Sequence, residues 1–272
     1  MGLANSLALA ADWRQARPAE VLPQAAKAAE RALALDPSWP ETQQALGRAK
    51  VLARHDWAGA EQAFRRAIEL DPAHLQGPID YARLVLVPRG RFGEAIDQLE
   101  RVVVLDPRHN EARNELASAL VKARQYEQAL PHLEVSRKLV PRAPAVWVFS
   151  GLIAMAKGEA EQGLREFQTA VEIRRSSWTL GHVGFALARL GRREEAEKVI
   201  TQLRDMSARA SPDYEIARVY VALGEKERAF AALDRAHADL VPQMLWLKVD
   251  PLLEGLRGDP RFTTLLKRMQ LD

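Results

Sequence analysis

The chain has 272 residues, of which 28% are charged, yet its formal net charge is only +3, and it contains no cysteine. The absence of cysteine excludes disulfides, thiolate catalysis and cysteine-ligated metal or iron–sulfur sites. The longest apolar run, residues 145–156, is interrupted by Ser150 and is shorter than the ~20 residues that a membrane-spanning helix needs, so we expect a soluble, cytoplasmic protein without a membrane partner.

The chain begins with half of a structural unit. Residues 2–10 resemble the latter part of a helix, Asp12 to Gln15 form a loop, and a complete helix is predicted from Ala19 to Leu35. We therefore expect the chain to be part of a longer polypeptide or to have a redefined start. Residues 1–6 match an N-myristoylation pattern, but a start codon placed before a helix accounts for them as well. A secretory signal would need a basic n-region, which is absent.

The segment from Asp56 to Pro72 predicts one amphipathic helix with a defined end, since proline cannot continue a helix and disfavours helical geometry in the residue before it. The segment recurs along the chain. Its small residue appears at intervals of 33 to 35 positions, as Ala25, Ala60, Ala95, Ala129, Gly163, Ala196 and Ala229. Mostly apolar residues follow four and seven positions later, which is the stripe of a buried helix face.

A second apolar segment precedes each of these helices and carries its own small residue. These are Gly47, Ala117, Gly151, Gly184 and Ala217. Each unit is therefore two helices, and the small side chains let the pair approach at the short end of the usual range. Glycines lie between the two helices at Gly90, Gly158, Gly191 and Gly224, where they predict a left-handed end to the first helix.

A two-helix unit of about 34 residues with this pattern resembles the tetratricopeptide repeat. The fifth unit matches it at Trp147, Gly151, Gly158, Gly163, Phe167 and Ala170. Arg175 stands where proline would close that unit, and one extra residue in each of the second and third units leaves the register of their first helices open. The resemblance implies an all-α fold, a right-handed α-solenoid of about seven helix pairs in which each unit contacts its neighbours, with a C-terminal capping helix.

We divide the chain into a repeat array and a C-terminal helical cap. The units span residues 1–37 (truncated), 38–72, 73–107, 108–141, 142–175, 176–209 and 210–242, and the cap spans 243–272. Asp259 before Pro260 predicts the start of a short helix in the cap. This tail, with residues 55–61 and 220–226, resembles the tetratricopeptide arrays at the C-termini of bacterial multidomain signalling proteins, which implies an attached cyclase, winged-helix or Ser/Thr kinase domain as a partner.

Candidate catalytic and metal-binding groups do not form a constellation. The histidines are scattered, and none pairs with another at i, i+4. Asp234 and His237 share a helix face but supply two ligands at most, and glycines such as Gly181 lie inside helices with no strand before them, which argues against a phosphate-binding loop. The sequence therefore predicts no enzyme activity, no metal site and no cofactor.

Nucleic acid is an alternative partner, because pentatricopeptide repeats share a 35-residue period and read RNA one base per unit. Four basic doublets could contact the phosphates of a nucleic acid, and these are Arg65-Arg66, Arg174-Arg175, Arg192-Arg193 and Lys267-Arg268. Most lie on second helices, among Glu69, Glu172 and Glu194, which predicts mutually paired, solvated charges. We therefore place RNA binding below protein binding.

The sequence predicts a non-catalytic scaffold that binds a partner peptide or helix on its concave face; the alternative is a regulatory or sensory domain of a larger bacterial signalling protein. Some tetratricopeptide modules hold acidic C-terminal peptides with a Lys/Asn/Arg clamp on successive first helices. The inward positions of the fourth unit are Glu111, Asn114, Glu115, Ser118, Val121 and Lys122. The clamp is missing there, so we expect no appreciable affinity for such peptides.

The predicted working surface is an apolar inner wall on the first helices of the fifth to seventh units. Its candidate partner contacts are Val148, Phe149, Leu152, Met155, Trp178, His182, Phe185, Arg189, Tyr214 and Arg218. Large exposed apolar patches usually mark interaction sites. The wall either binds a partner or packs against the chain's own tail through Trp246, Leu252, Leu256 and Phe262, and we favour self-packing because some wall positions must also pack helix on helix.

Overall fold

A computed structural model describes residues 17–206 and 211–272, in which the regular structure is helical throughout. The helices are α1 (Pro18–Leu35), α2 (Pro40–Arg54), α3 (Trp57–Leu70), α4 (Gln76–Tyr81), α5 (Phe92–Leu105), α6 (Asn110–Lys122), α7 (Tyr126–Leu139), α8 (Pro144–Ala156), α9 (Ala160–Ile173), α10 (Ser177–Arg189), α11 (Arg193–Asp205), α12 (Asp213–Ala222), α13 (Lys226–Ala238) and α14 (Pro260–Arg268). The predicted N-terminal helix fragment, the loop after it and the myristoylation pattern lie outside the described residues.

Successive helices pair, and successive pairs stack. The pairs are α2 with α3, α4 with α5, α6 with α7, α8 with α9, α10 with α11 and α12 with α13, and α1 packs before them as the second helix of the first unit. The all-α solenoid predicted from the repeat is therefore confirmed. The exact unit boundaries stay a prediction.

The stripe of small and apolar residues forms the core between paired helices. All seven marker residues, from Ala25 to Ala229, are buried, and so are the residues four and seven positions after each of them. The pairs approach closely because the facing residue is small. A Cβ added to Gly151 would lie 2.4 Å from the Phe167 ring, a distance that no side chain tolerates.

Helix ends fall where the sequence predicts them. Helices α1, α3, α5 and α7 each end at the residue before the Asp-Pro or Val-Pro pair. The four predicted turn glycines adopt left-handed backbone angles, with φ values of 77° at Gly90, 84° at Gly158, 74° at Gly191 and 78° at Gly224. The corresponding turns of the second and fourth units use His55 (φ 52°) and Arg124 (φ 62°) in the same conformation.

The structure settles the register that the sequence leaves open in the second and third units. In the third unit, α4 continues into a π-helical turn, Ala82–Leu86, in which the Val87 N–H donates to the Ala82 carbonyl at 2.9 Å. This wider turn absorbs one extra residue directly before Pro88, which has no N–H of its own to donate. In the second unit the first helix is lengthened, since α2 has 15 residues and α6 has 13.

The tail continues from α13 through two short 3₁₀ helices, Pro242–Trp246 and Pro251–Leu256, into α14. Asp259 caps α14 by accepting from the Arg261 N–H at 3.0 Å, so the predicted start at Pro260 is confirmed. Most of the apolar side chains of the tail are buried, and these are Met244, Leu245, Leu247, Val249, Leu252, Leu253, Leu256, Phe262, Leu265, Met269 and Leu271. The tail is therefore part of the hydrophobic core.

Candidate functional site: the concave face

The predicted wall residues divide into three groups by exposure. Val148, His182, Phe185, Tyr214 and Arg218 are buried, with at most 9% of each residue exposed. Phe149, Leu152, Met155 and Trp178 are half-buried, and Arg189 is exposed. The buried group can contact a partner only if the chain rearranges. Met155 does not line the wall as predicted, because its side chain packs between α8 and α9, where a Cβ on Gly163 would lie 2.7 Å from its Sδ. Phe149, Leu152 and Trp178 are partly open to solvent as they stand.

An aromatic cluster joins the fifth and sixth units within this wall. The rings of Phe149 and Trp178 meet edge to face with their centroids 6.4 Å apart, and Trp178 meets His182 in the same way at 5.6 Å. The His182 ring also lies 5.2 Å from Phe167 in the core behind it. Burial, reinforced by the charge of Arg218, lowers the pKa of His182 to about 3, so this imidazole is neutral at physiological pH.

The tail occupies the seventh-unit part of the wall through Asp250. This carboxylate accepts from the Tyr214 hydroxyl at 2.8 Å, from Arg218 Nε at 2.7 Å and from the Leu252 N–H at 2.9 Å, and it is 2% exposed. Burial acts to raise the pKa of Asp250, but the Arg218 charge and these hydrogen bonds bring it below its ordinary value. Self-packing therefore accounts for Tyr214 and Arg218.

The tail also reaches the fourth unit. Lys122 Nζ lies 5.9 Å from the ring centroids of both Phe149 and Trp246, and it donates to Ser118 Oγ at 2.5 Å. Burial lowers the pKa of Lys122, although Glu115 and Asp250 act in the opposite direction. The cation that a carboxylate clamp would use is thus held by the chain's own aromatic rings.

The inner face of the second and third units is polar, which sequence reasoning missed. Arg48 and Asp80 form a buried ion pair in which Arg48 Nε lies 2.9 Å from the carboxylate. Gln44 bonds His74 at 2.9 Å, and Gln76 donates to Glu111 at 3.2 Å. The signal was present in the sequence, since Arg48 and Arg83 occupy the same inward position one 35-residue period apart.

Most of the basic doublets are paired with acids, as the sequence predicts. Arg65 bonds Glu61 at 2.9 Å, Arg66 bonds Glu69 at 3.1 Å, Arg192 bonds Glu195 at 2.7 Å, Arg193 bonds Glu197 at 3.1 Å and Arg268 bonds Asp234 at 2.5 Å. The acidic partners offset the positive charge that a nucleic acid would otherwise meet at these positions.

The Asp234–His237 pair does not gather further ligands. Asp234 bonds Arg268, and the His237 ring lies 6.0 Å from that of His55. Residues 17–206 and 211–272 contain no group of three or more His, Asp or Glu side chains arranged to hold a metal ion. In the described part of the chain, none of the helices combines the length and apolarity needed to cross a bilayer.

Comparison with known proteins finds the same repeat in the middle of the chain. The family model of the tetratricopeptide repeat matches residues 84–133 and 114–177. Among solved structures, the chain is similar to a tetratricopeptide repeat protein from Parabacteroides merdae, with 14% identity over 99% of this chain and 100% of that one and a TM-score of 0.63. It is also similar to pilF of Pseudomonas aeruginosa, with 17% identity over 76% and 92% of the two chains and a TM-score of 0.53.

A third similar structure is the APC/C hetero-tetramer Cut9–Hcn1, with 18% identity over 89% of this chain and 44% of that chain and a TM-score of 0.59. At such identities the similarity establishes the fold alone. No curated protein matches the sequence significantly. The tetratricopeptide resemblance is therefore confirmed, and the finer resemblance to signalling-protein arrays stays a prediction.

Proposed function

We propose that this tetratricopeptide-repeat solenoid is a non-catalytic scaffold that binds a peptide or helix of a protein partner on the fifth and sixth units of its concave face. The observation that supports it is the half-buried group Phe149, Leu152 and Trp178, which remains accessible beside the tail. Clustered large apolar side chains at a surface usually mark interaction sites.

The buried wall residues support this surface and do not contact the partner. Asp250 of the tail engages Tyr214 and Arg218, and breaking a buried ion pair by removing one member costs about 3–5 kcal/mol. Each buried apolar side chain of the tail adds roughly 1.5–3 kcal/mol. A partner would have to exceed the sum of these contributions to displace the tail, so we confine binding to the surface that the tail leaves open.

The chemistry of the open surface favours an apolar or aromatic segment over an acidic one. Arg218 is paired with Asp250 at 2.6 Å, and Lys122 lies against two aromatic rings. Neither cation is free to meet a carboxylate of the partner. An amphipathic helix or extended peptide that presents apolar anchors is the class of ligand that such a surface accepts.

The proposal is tested by comparing the proteins captured by the wild-type chain with those captured by the wall variant Leu152→Lys. Leu130→Lys is a matched control, because Leu130 is an apolar residue 37% exposed on the second helix α7. We expect a captured protein that the wall variant loses and the control retains, with equal thermal unfolding of all three chains. Equal capture by the wall variant and the control would refute the location.

A further inference from the structure

The second and fourth units of the solenoid contact the C-terminal part of the chain. Trp57 in the second unit donates its indole N–H to the Met269 carbonyl at 2.8 Å, a contact between residues 212 positions apart. The His55 ring lies 6.0 Å from the His237 ring at the end of α13. Arg124 in the fourth unit bonds Glu254 of the tail at 2.9 Å. The turn edges of the second and fourth units are therefore held by the C-terminal part of the chain.

Two of these contacts come from residues in a backbone conformation that favours glycine. His55 and Arg124 have positive φ, where four other units place glycine. A Cβ on any of those four glycines would meet nothing within 4 Å. At these two turns a residue with a side chain stands where other units have glycine. Its left-handed backbone conformation is unfavourable, and its side chain contacts the last unit or the tail.

The tail is bound more extensively to the seventh unit than to the second and fourth. On the seventh unit it has the buried Asp250 network, the Arg261–Glu227 pair at 2.7 Å and Arg261 stacked 4.2 Å from the Phe230 ring centroid. We call the contacts of His55, Trp57 and Arg124 with His237, Met269 and Glu254 the latch. The contacts of the tail with the seventh unit are separate from those of the latch.

The histidine pair is the titratable part of the latch. Burial, together with the neighbouring His237, lowers the pKa of His55 to about 4. Burial also lowers the pKa of His237, Arg268 lowers it further, and Asp234 raises it. His237 Nε2 is buried without a hydrogen-bond partner. The nearby Lys50–Asp56 pair (3.4 Å) and Arg268–Asp234 pair (2.5 Å) are each internally neutralised.

We propose that the latch is a pH-sensitive closure: protonation of His55 and His237 below about pH 6 separates the second unit from the C-terminal part of the chain and widens access to the concave face. The role of the opening in partner access rests on the proposed function, whereas the opening of the latch does not. The neutral rings share a part-buried contact, and two positive charges at this separation repel each other.

The direction and size of the response follow from linkage. The closed state binds fewer protons than the open state, so closure weakens as the pH falls. With a closed-state pKa of about 4 and an ordinary open-state value of 6.5 for His55, the ratio of closed to open chains falls about 30-fold between pH 8 and pH 5. His237 acts in the same direction.

The closure is measured with spin labels on the full chain, which has no native cysteine. Ala58→Cys and Lys267→Cys place labels at exposed positions on the two sides of the latch. We expect one short label-to-label distance at pH 8 and a growing population of longer distances at pH 5. The double variant His55→Gln/His237→Gln should lose this pH response.

His132→Gln is the matched control, because His132 also has a pKa lowered by burial but lies on α7, outside the latch. It should respond like the unmodified chain. A distance unchanged between pH 8 and pH 5, a response that survives in the double variant, or a response that coincides with loss of the helical circular dichroism signal would each overturn the proposal. No partner is present in this experiment, so its result is independent of the binding test at neutral pH.

Discussion

Asp250 is the residue whose removal tests most sharply how the tail is attached. Asp250→Ala removes the acceptor of Tyr214, of Arg218 and of the Leu252 N–H at once. Arg218 is 9% exposed, and its Nη1 already has no hydrogen-bond partner, so the variant leaves a buried charge without its hydrogen-bonded carboxylate. We expect a loss of about 3–5 kcal/mol in the free energy of unfolding.

The assay is urea unfolding followed by both circular dichroism and tryptophan fluorescence, since Trp246 lies in the tail. The double variant Asp250→Ala/Arg218→Met should recover much of the loss, because replacing a whole buried pair by apolar side chains is often neutral. A loss below about 1 kcal/mol for Asp250→Ala, or a double variant less stable than the single one, would refute the reasoning.

The pH dependence separates this pair from the histidine latch. The pKa of Asp250 is lowered in the folded state, so its contribution is fully present above the ordinary value of 3.8 and is lost only as the pH falls through the folded value. Between pH 5 and pH 8 the Asp250 contribution is therefore constant. Any change in that range comes from other groups.

Three further predictions concern packing and ligand choice. Gly151→Ala should destabilise the chain by about 1–3 kcal/mol, because its Cβ would lie 2.4 Å from the Phe167 ring. Gly93→Ala is the control and should not destabilise the chain, because its Cβ would meet nothing within 4 Å; urea unfolding of both variants measures the difference. Phe185→Ser should lower the free energy of unfolding by about 3–5 kcal/mol, since Phe185 is 8% exposed. Phe149→Ser should lower it by less, because Phe149 is half-buried, and equal losses would contradict the division of the wall into buried and half-buried residues. Calorimetry with an acidic C-terminal peptide of the chaperone type should give no binding heat, and micromolar affinity would contradict the missing clamp.

Local pattern was sufficient to predict the repeat. The spacing from Ala25 to Ala229 identifies the buried face, and Gly90 or Asp71-Pro72 identify helix ends, because each depends on neighbouring residues alone. The π-helical turn before Pro88 was not predicted, since an extra residue can be absorbed in several ways. His55 and Arg124 in left-handed turns were not predicted either, because their side chains serve contacts distant in sequence.

The candidate site was predicted only in part for the same reason. The wall positions follow from helix periodicity, but their exposure depends on where the tail lies. The Trp57–Met269 contact spans 212 positions, and periodicity carries no information about it. The buried Arg48–Asp80 pair does not follow from the pattern within one unit, because a neighbouring unit supplies the counterion.

Hydrogen exchange of the chain with and without its captured partner tests the central claim most directly, because it reports each helix separately. We predict that the partner slows exchange in α8 (Pro144–Ala156) and α10 (Ser177–Arg189) and leaves residues 242–271 unchanged. Slower exchange confined to the second helices α9 and α11, or faster exchange in the tail on binding, would contradict the assignment of the binding surface.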